Sequence, residues 1–138
     1  MPVTVICVGK LRERFFADAA AEYLKRLRRL MPVTVIEVPD EPEPAQPGDA
    51  QNEVALRREG ERILARLTDR DHVIALCVDA KQYESPELAA RLDGLFTQGK
   101  SHIAFVIGGS LGLHPSVLKR SDERMSMSRM TFPHQLAR

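Results

Sequence analysis

The 138-residue sequence has no tryptophan, two tyrosines and five phenylalanines. Aromatics this scarce exclude a broad base-stacking platform for single-stranded nucleic acid. Its two cysteines, Cys7 and Cys77, each sit inside a Val/Ile/Leu run and read as small buried hydrophobes in a reducing compartment. Neither has partners at the spacing of a metal site or a redox pair. No apolar stretch approaches the ~20 residues that span a bilayer. The longest aliphatic runs, residues 73–78 and 103–107, are also too short for a signal-peptide core, and residues 1–9 carry neither a basic leader nor a small-residue cleavage site. A cytoplasmic protein without a membrane partner is expected. The net charge is only +1, so bulk electrostatics alone would not hold the chain on DNA or RNA.

What is present is an ordinary globular composition, 43% hydrophobic and 28% charged. The length suits a single domain, residues 1–138, with a core large enough to need no staple. Short β-branched runs predict strands over residues 3–8, 33–38, 72–78 and 102–107. Apolar positions at helical spacing predict helices over residues 15–30, 52–67 and 85–96. Ser85 would cap the last of these, with Pro86 at its first position. A short helix over 115–121 and a short strand or ordered loop over 125–131 complete the pattern. Strands that alternate with helices and stay apolar on both faces imply an α/β fold, a parallel sheet with helices on both sides. Ligands of such sheets gather at the carboxyl ends of strands, here after Val78 and Ile107.

Charge is unevenly spread. Residues 10–29 carry seven basic and three acidic side chains, residues 37–62 eight acidic and three basic, and residues 119–138 five basic and two acidic. Residues 40–51, rich in proline and acids, predict a surface loop that gives RNA no support, so an anionic partner would meet the basic ends.

The sharpest motif is Ile107-Gly108-Gly109-Ser110-Leu111-Gly112-Leu113. Its glycines are not spaced as a dinucleotide-binding G-x-G-x-x-G. They do satisfy G-x-S-x-G, and Asp122 and His134 follow in hydrolase order, which makes a small serine hydrolase using Ser110 an alternative. A plain glycine turn is the third reading. Taken alone, Leu76, Met127 and Met130 read as core packing.

The glycine motif is followed by Ser126-Met127-Ser128-Arg129-Met130-Thr131-Phe132-Pro133-His134-Gln135. Together with the first strand (VICVGK), Glu22-Tyr23, Glu59-Gly60 and the strand Ile74 to Asp79, the pair of motifs resembles the ribosomal RNA large subunit methyltransferase H group of the SPOUT class. The resemblance covers essentially the whole chain. It implies a C-terminal trefoil-knot region, a homodimer, and transfer of a methyl group from S-adenosyl-L-methionine. The implied target is N3 of a pseudouridine in helix 69 of 23S rRNA, within the assembled 70S ribosome. By the same resemblance the cofactor contacts fall on Leu76, Gly108, Met127, Ser128, Arg129, Met130, Thr131 and Phe132.

An activated methyl group needs no metal or covalent nucleophile, so alignment with N3 is the protein's main task. The N3 proton must leave, which calls for a base or for donors to the uridinate oxygens. The nearest candidates in sequence are His134 and Arg138; the catalytic assignment stays open. Members of the group continue past the position of Arg138 into a final helix and a basic, aromatic tail. The expectation is therefore a shortened chain, for which a non-catalytic ribosome-binding domain is a further alternative.

Overall fold

Four β-branched runs pair edge to edge because each is apolar on both faces, and a short fifth segment adds to one edge. A computed structural model describes residues 2–42 and 48–138. The strands are β1 (Val3–Val8), β2 (Val33–Val38), β3 (Asp71–Gln82), β4 (His102–Ile107) and β5 (Glu123–Ser126). The helices are α1 (Arg14–Leu27), α2 (Asp49–Leu64), α3 (Ser85–Thr97), α4 (Pro115–Arg120) and α5 (His134–Ala137). The sheet order is β2-β1-β4-β3-β5 and every pairing is parallel. The expected α/β class, with helices on both faces, is the fold observed.

Alternation along the strands builds two apolar layers. Ile6, Val8, Val38, Val73, Ala104 and Val106 face α2 and α4, where Ile63 and Val117 close the layer. Ile74, Ile103 and Met125 point the other way and pack on Leu95 of α3, with Leu88, Leu92 and Phe96 around it. Helix α1 lies on this second face beside β1 and β2, yet buries none of its own residues. A groove of about 670 Å³ runs between it and the sheet, walled by Val5, Val33, Val35, Phe16 and Leu24. The β1 to β2 connection runs toward one edge of the sheet and the β4 to β5 connection toward the other. The strand order therefore reverses between β1 and β4, the place where parallel sheets open a crevice at their carboxyl ends.

Several boundaries differ from those expected, each for a local reason. Helix α1 ends at Leu27 rather than Leu30, and the chain turns through Arg28 to Leu30 before β2. Helix α2 starts at Asp49, whose acidic side chain suits the first turn, so the loop expected through Gln51 is shorter. Residues 43–47 of that loop lie outside the described residues. The N-cap of α3 is Glu84 rather than Ser85, because Glu84 and Glu87 form a reciprocal capping box and Pro86 falls one position later. Strand β3 runs four residues past Val78. Leu76 and Lys81 both register with Met125, so residues 77–80 leave the ladder as an irregularity before Lys81 and Gln82 rejoin it. Cys7 is buried as expected, whereas Cys77 is only half-buried.

Candidate active site

The amino ends of the strands are closed by their own polar groups. The Thr4 hydroxyl lies 2.6 Å from His102 Nε2. Asp122 accepts the Val73 N–H at 2.8 Å. Glu123 accepts two bonds from the Arg91 guanidinium, at 3.0 and 2.9 Å, and sits 2.5 Å from His72 Nε2. Burial pushes the Glu123 carboxyl up, but hydrogen bonds from Arg91 and His72 outweigh it and hold the group below its ordinary range.

The carboxyl ends are open instead. After Ile107 the chain turns back on itself, with the Gly112 N–H bonded to the Gly109 carbonyl at 3.1 Å and Gly112 at φ +81°. The turn is so tight that a Cβ on Gly108 would meet the Gly112 carbonyl, whose carbon would lie 2.6 Å away. No side chain larger than hydrogen fits there without moving backbone. After β5, the buried Ser126 hydroxyl donates to the Ser128 carbonyl at 2.7 Å, and the Met130 N–H donates to the Ser128 hydroxyl at 3.0 Å. These two bonds shape the segment into a turn that faces the glycines.

Between the two turns lies a cleft of about 480 Å³, of a size that ordinarily holds a small molecule or cofactor. Three stretches far apart in the chain meet around it. Leu76 comes from β3, Gly108 from the glycine turn, and Met127, Ser128, Met130, Thr131 and Phe132 from the segment after β5. Arg129, also expected here, is exposed and outside the lining. The core reading of the methionines fails: Met127 is exposed and Met130 is 74% exposed. Both stand at the rim of the cleft. Leu76 is half-buried and packs on the layer that holds Ile74 and Met125. Cys77 also lines the cleft, and burial raises its thiol, keeping it protonated and unreactive.

The hydrolase arrangement is not formed. Asp122 is committed to Val73 at the amino ends of the strands, whereas Ser110 lies in the exposed turn at their carboxyl ends. His134 does line the cleft, and burial, with Arg138 nearby, lowers its pKa, so it is neutral at pH 7. The Arg138 guanidinium is turned away. It donates to the Gly9 carbonyl at 3.1 Å and to Glu37 at 2.5 Å, with its side chain 6% exposed. That is a clasp between the last helix and the ends of β1 and β2.

Known proteins resemble this chain along its whole length. The family of predicted SPOUT methyltransferases matches residues 1–138. The chain belongs to that family. A ribosomal RNA large subunit methyltransferase H from Listeria welshimeri is 54% identical over 138 residues, all of this chain and 87% of the relative. Proteins of the same name from Exiguobacterium sibiricum and Lysinibacillus sphaericus are 51% and 50% identical over 136 residues, 99% of this chain and 86% of each relative. Family membership makes the chain a methyltransferase.

One residue of this edge escaped the sequence reading as a functional group. Glu59 is buried, although its position was legible: it falls between Ala55 and Ile63, one turn from each on the buried stripe of α2. A carboxylate on an apolar stripe is the signal that marks it.

Proposed function

We propose that the chain, read as one domain, is an S-adenosyl-L-methionine-dependent methyltransferase of large-subunit ribosomal RNA. Its target on this reading is N3 of a pseudouridine in helix 69 of 23S rRNA, in the assembled ribosome of the cytoplasm. The observation that carries the reading is the convergence of Leu76, Gly108, Met127, Ser128, Met130, Thr131 and Phe132 on one cleft. The fit to the cofactor is good in size and in chemistry. Leu76, Met127 and Phe132 supply apolar walls for a nucleoside, and the bare backbone of the glycine turn and of residues 127–132 supplies donors and acceptors for its polar edges. Bound there, the cofactor would supply a methyl group already activated as a sulfonium. The protein would hold the ring nitrogen in line with it and keep water away.

Lys10, Arg12 and Arg14 stand exposed in and after the loop that follows β1, and Arg129 is exposed in the segment after β5. They support contact with a phosphate backbone at this edge. The relatives' names support the choice of ribosomal RNA. The exposed Phe15, Tyr23, Leu27 and Leu30 of α1 and the turn after it support a homodimer, since an isolated chain would leave them in water. The trefoil-knot region that the resemblance implies is part of the same reading.

Ribosomes incubated with the protein and methyl-labelled S-adenosylmethionine should gain label in 23S rRNA, recovered as an N3-methylated nucleoside after digestion. Calorimetry should show one cofactor bound per chain, and sedimentation a dimer. Ribosome association with cofactor binding but no label would favour the non-catalytic alternative. Absence of cofactor binding in a folded sample would overturn the reading altogether.

A further inference from the structure

A second cavity, of about 450 Å³, opens over the carboxyl ends of β1 and β4, where the strand order reverses. Gly9, Lys10, Asp40, Glu59, Ser110 and His134 are among its walls. It shares Gly109, Ser110, His134 and Gln135 with the cleft described above, so the two spaces adjoin at these residues.

Glu59 is the unusual member. It is 6% exposed, and its Oε2 accepts the Glu41 N–H at 2.9 Å. Its Oε1 is buried without a hydrogen-bond partner among the described residues. An orphaned carboxylate oxygen is costly, and an apolar residue on this stripe of α2 would be cheaper if packing were the sole task. Only the bare backbone of Gly109 stands over that oxygen: a Cβ there would lie 3.7 Å from Oε1 and 3.2 Å from Val8.

We propose that this second cavity seats a uracil-class base and that Glu59 Oε1 accepts its imide N–H, taking the proton as the ring nitrogen is methylated. The proposal rests on the methyltransferase reading and adds the group that receives the proton. The N–H bond breaks and its proton passes to Oε1. The electron pair left on nitrogen forms the new bond to the methyl carbon. The pair of the broken carbon–sulfur bond stays on sulfur, which goes from sulfonium to neutral thioether. The protonated Glu59 then loses its proton to water when the product leaves.

The surroundings suit a base. Burial raises the Glu59 carboxyl, as do the charges of Asp40 and Glu41 in the loop after β2, against the Glu41 N–H bond and Arg62, which lower it. The net direction is upward, closer to the acidity of an imide. Lys10 and Arg12 from the loop after β1 and His134 from α5 face the same cavity. The two cations stand where a nucleotide phosphate would be met.

The test compares uridine 5′-monophosphate with its N3-methyl derivative, titrated into the cofactor-free protein and followed by NMR. The wild type should bind the unmethylated nucleotide about 10-fold or more tightly, the worth of a hydrogen bond to a charged group. Glu59→Ala should erase the preference. Should that variant not fold, Glu59→Gln carries the same comparison, since its amide oxygen can accept the Glu41 N–H while its NH₂ group, facing the cavity, cannot accept an imide proton. In labelled-methyl assays on ribosomes Glu59→Gln should be slowed ~100-fold near pH 7. Its rate should then climb about tenfold per pH unit as the imide ionises by itself, while the wild type levels off once Glu59 is ionised. Equal affinity of the wild type for both nucleotides, or a Glu59→Gln variant with the wild-type pH profile, would overturn the proposal. Wild-type protein that prefers the unmethylated nucleotide but labels no ribosome supports the base site and counts against the ribosomal reading instead.

Discussion

The two ends of the sheet are made from the same kinds of residue and treat them in opposite ways. At the amino ends Thr4, His72, Asp122 and Glu123 are each answered by a side chain or by nearby backbone. At the carboxyl ends glycines replace side chains, methionines stand at a rim, and Glu59 keeps an oxygen without a partner. The first end stabilises the fold. The second spends some of that stability on holding groups ready for something else.

The largest expected break of this contrast is Gly108→Val. Its side chain would collide with the Gly112 backbone, so the turn must shift and cofactor affinity should fall about 100-fold by calorimetry. A folded variant with normal affinity would place the cofactor elsewhere. At the other end, Glu123→Ala would strand Arg91 and His72 and should cost about 3 kcal/mol in urea unfolding, with cofactor affinity unchanged.

The two buried carboxylates should also respond to pH with opposite signs. Glu123 is held below its ordinary range, so it stabilises the fold above the unfolded carboxylate value of about 4.3, and that contribution fades as pH falls through the folded value. Glu59 is raised, so its contribution is full below that unfolded value and is lost as pH rises through the folded one. Urea midpoints measured from pH 3 to pH 8 should therefore lose opposite slopes in Glu123→Gln and in Glu59→Gln. The smallest effect expected is that of Thr4→Val, about 1 kcal/mol from one hydrogen bond, with no change at the cleft.

Much of the frame was legible in the sequence because it rests on local rules. Three six-residue strands, β1, β2 and β4, have the bounds their β-branched runs indicate, since a glycine, a proline or a polar loop stops each one. The extension of β3 was not legible. Residues 79–82 (Asp, Ala, Lys, Gln) have no apolar alternation, and what makes them a strand is the distant Met125 and Ser126. At the site, the loops after Ile107 and after β5 could be singled out, but their meeting depends on the sheet order. Arg138 illustrates the limit: its place beside His134 in sequence suggested shared chemistry, whereas the chain has turned enough for its guanidinium to reach Glu37. Glu59 hid for the reverse reason. Helical spacing put it on the buried stripe, but a single carboxylate there gives no sign of which oxygen stays free.

The two border strands bear on how the protein behaves in a crowded solution. A sheet ordinarily ends in two exposed strands, and each is a template on which another chain can add. Here one border is β5, only four residues long and opening on the charged Glu123 and Arg124. The other is β2, where the exposed Thr34 and Glu37 interrupt the apolar run. Strand-by-strand growth into aggregates is left two short places to start, and polar side chains already stand in both.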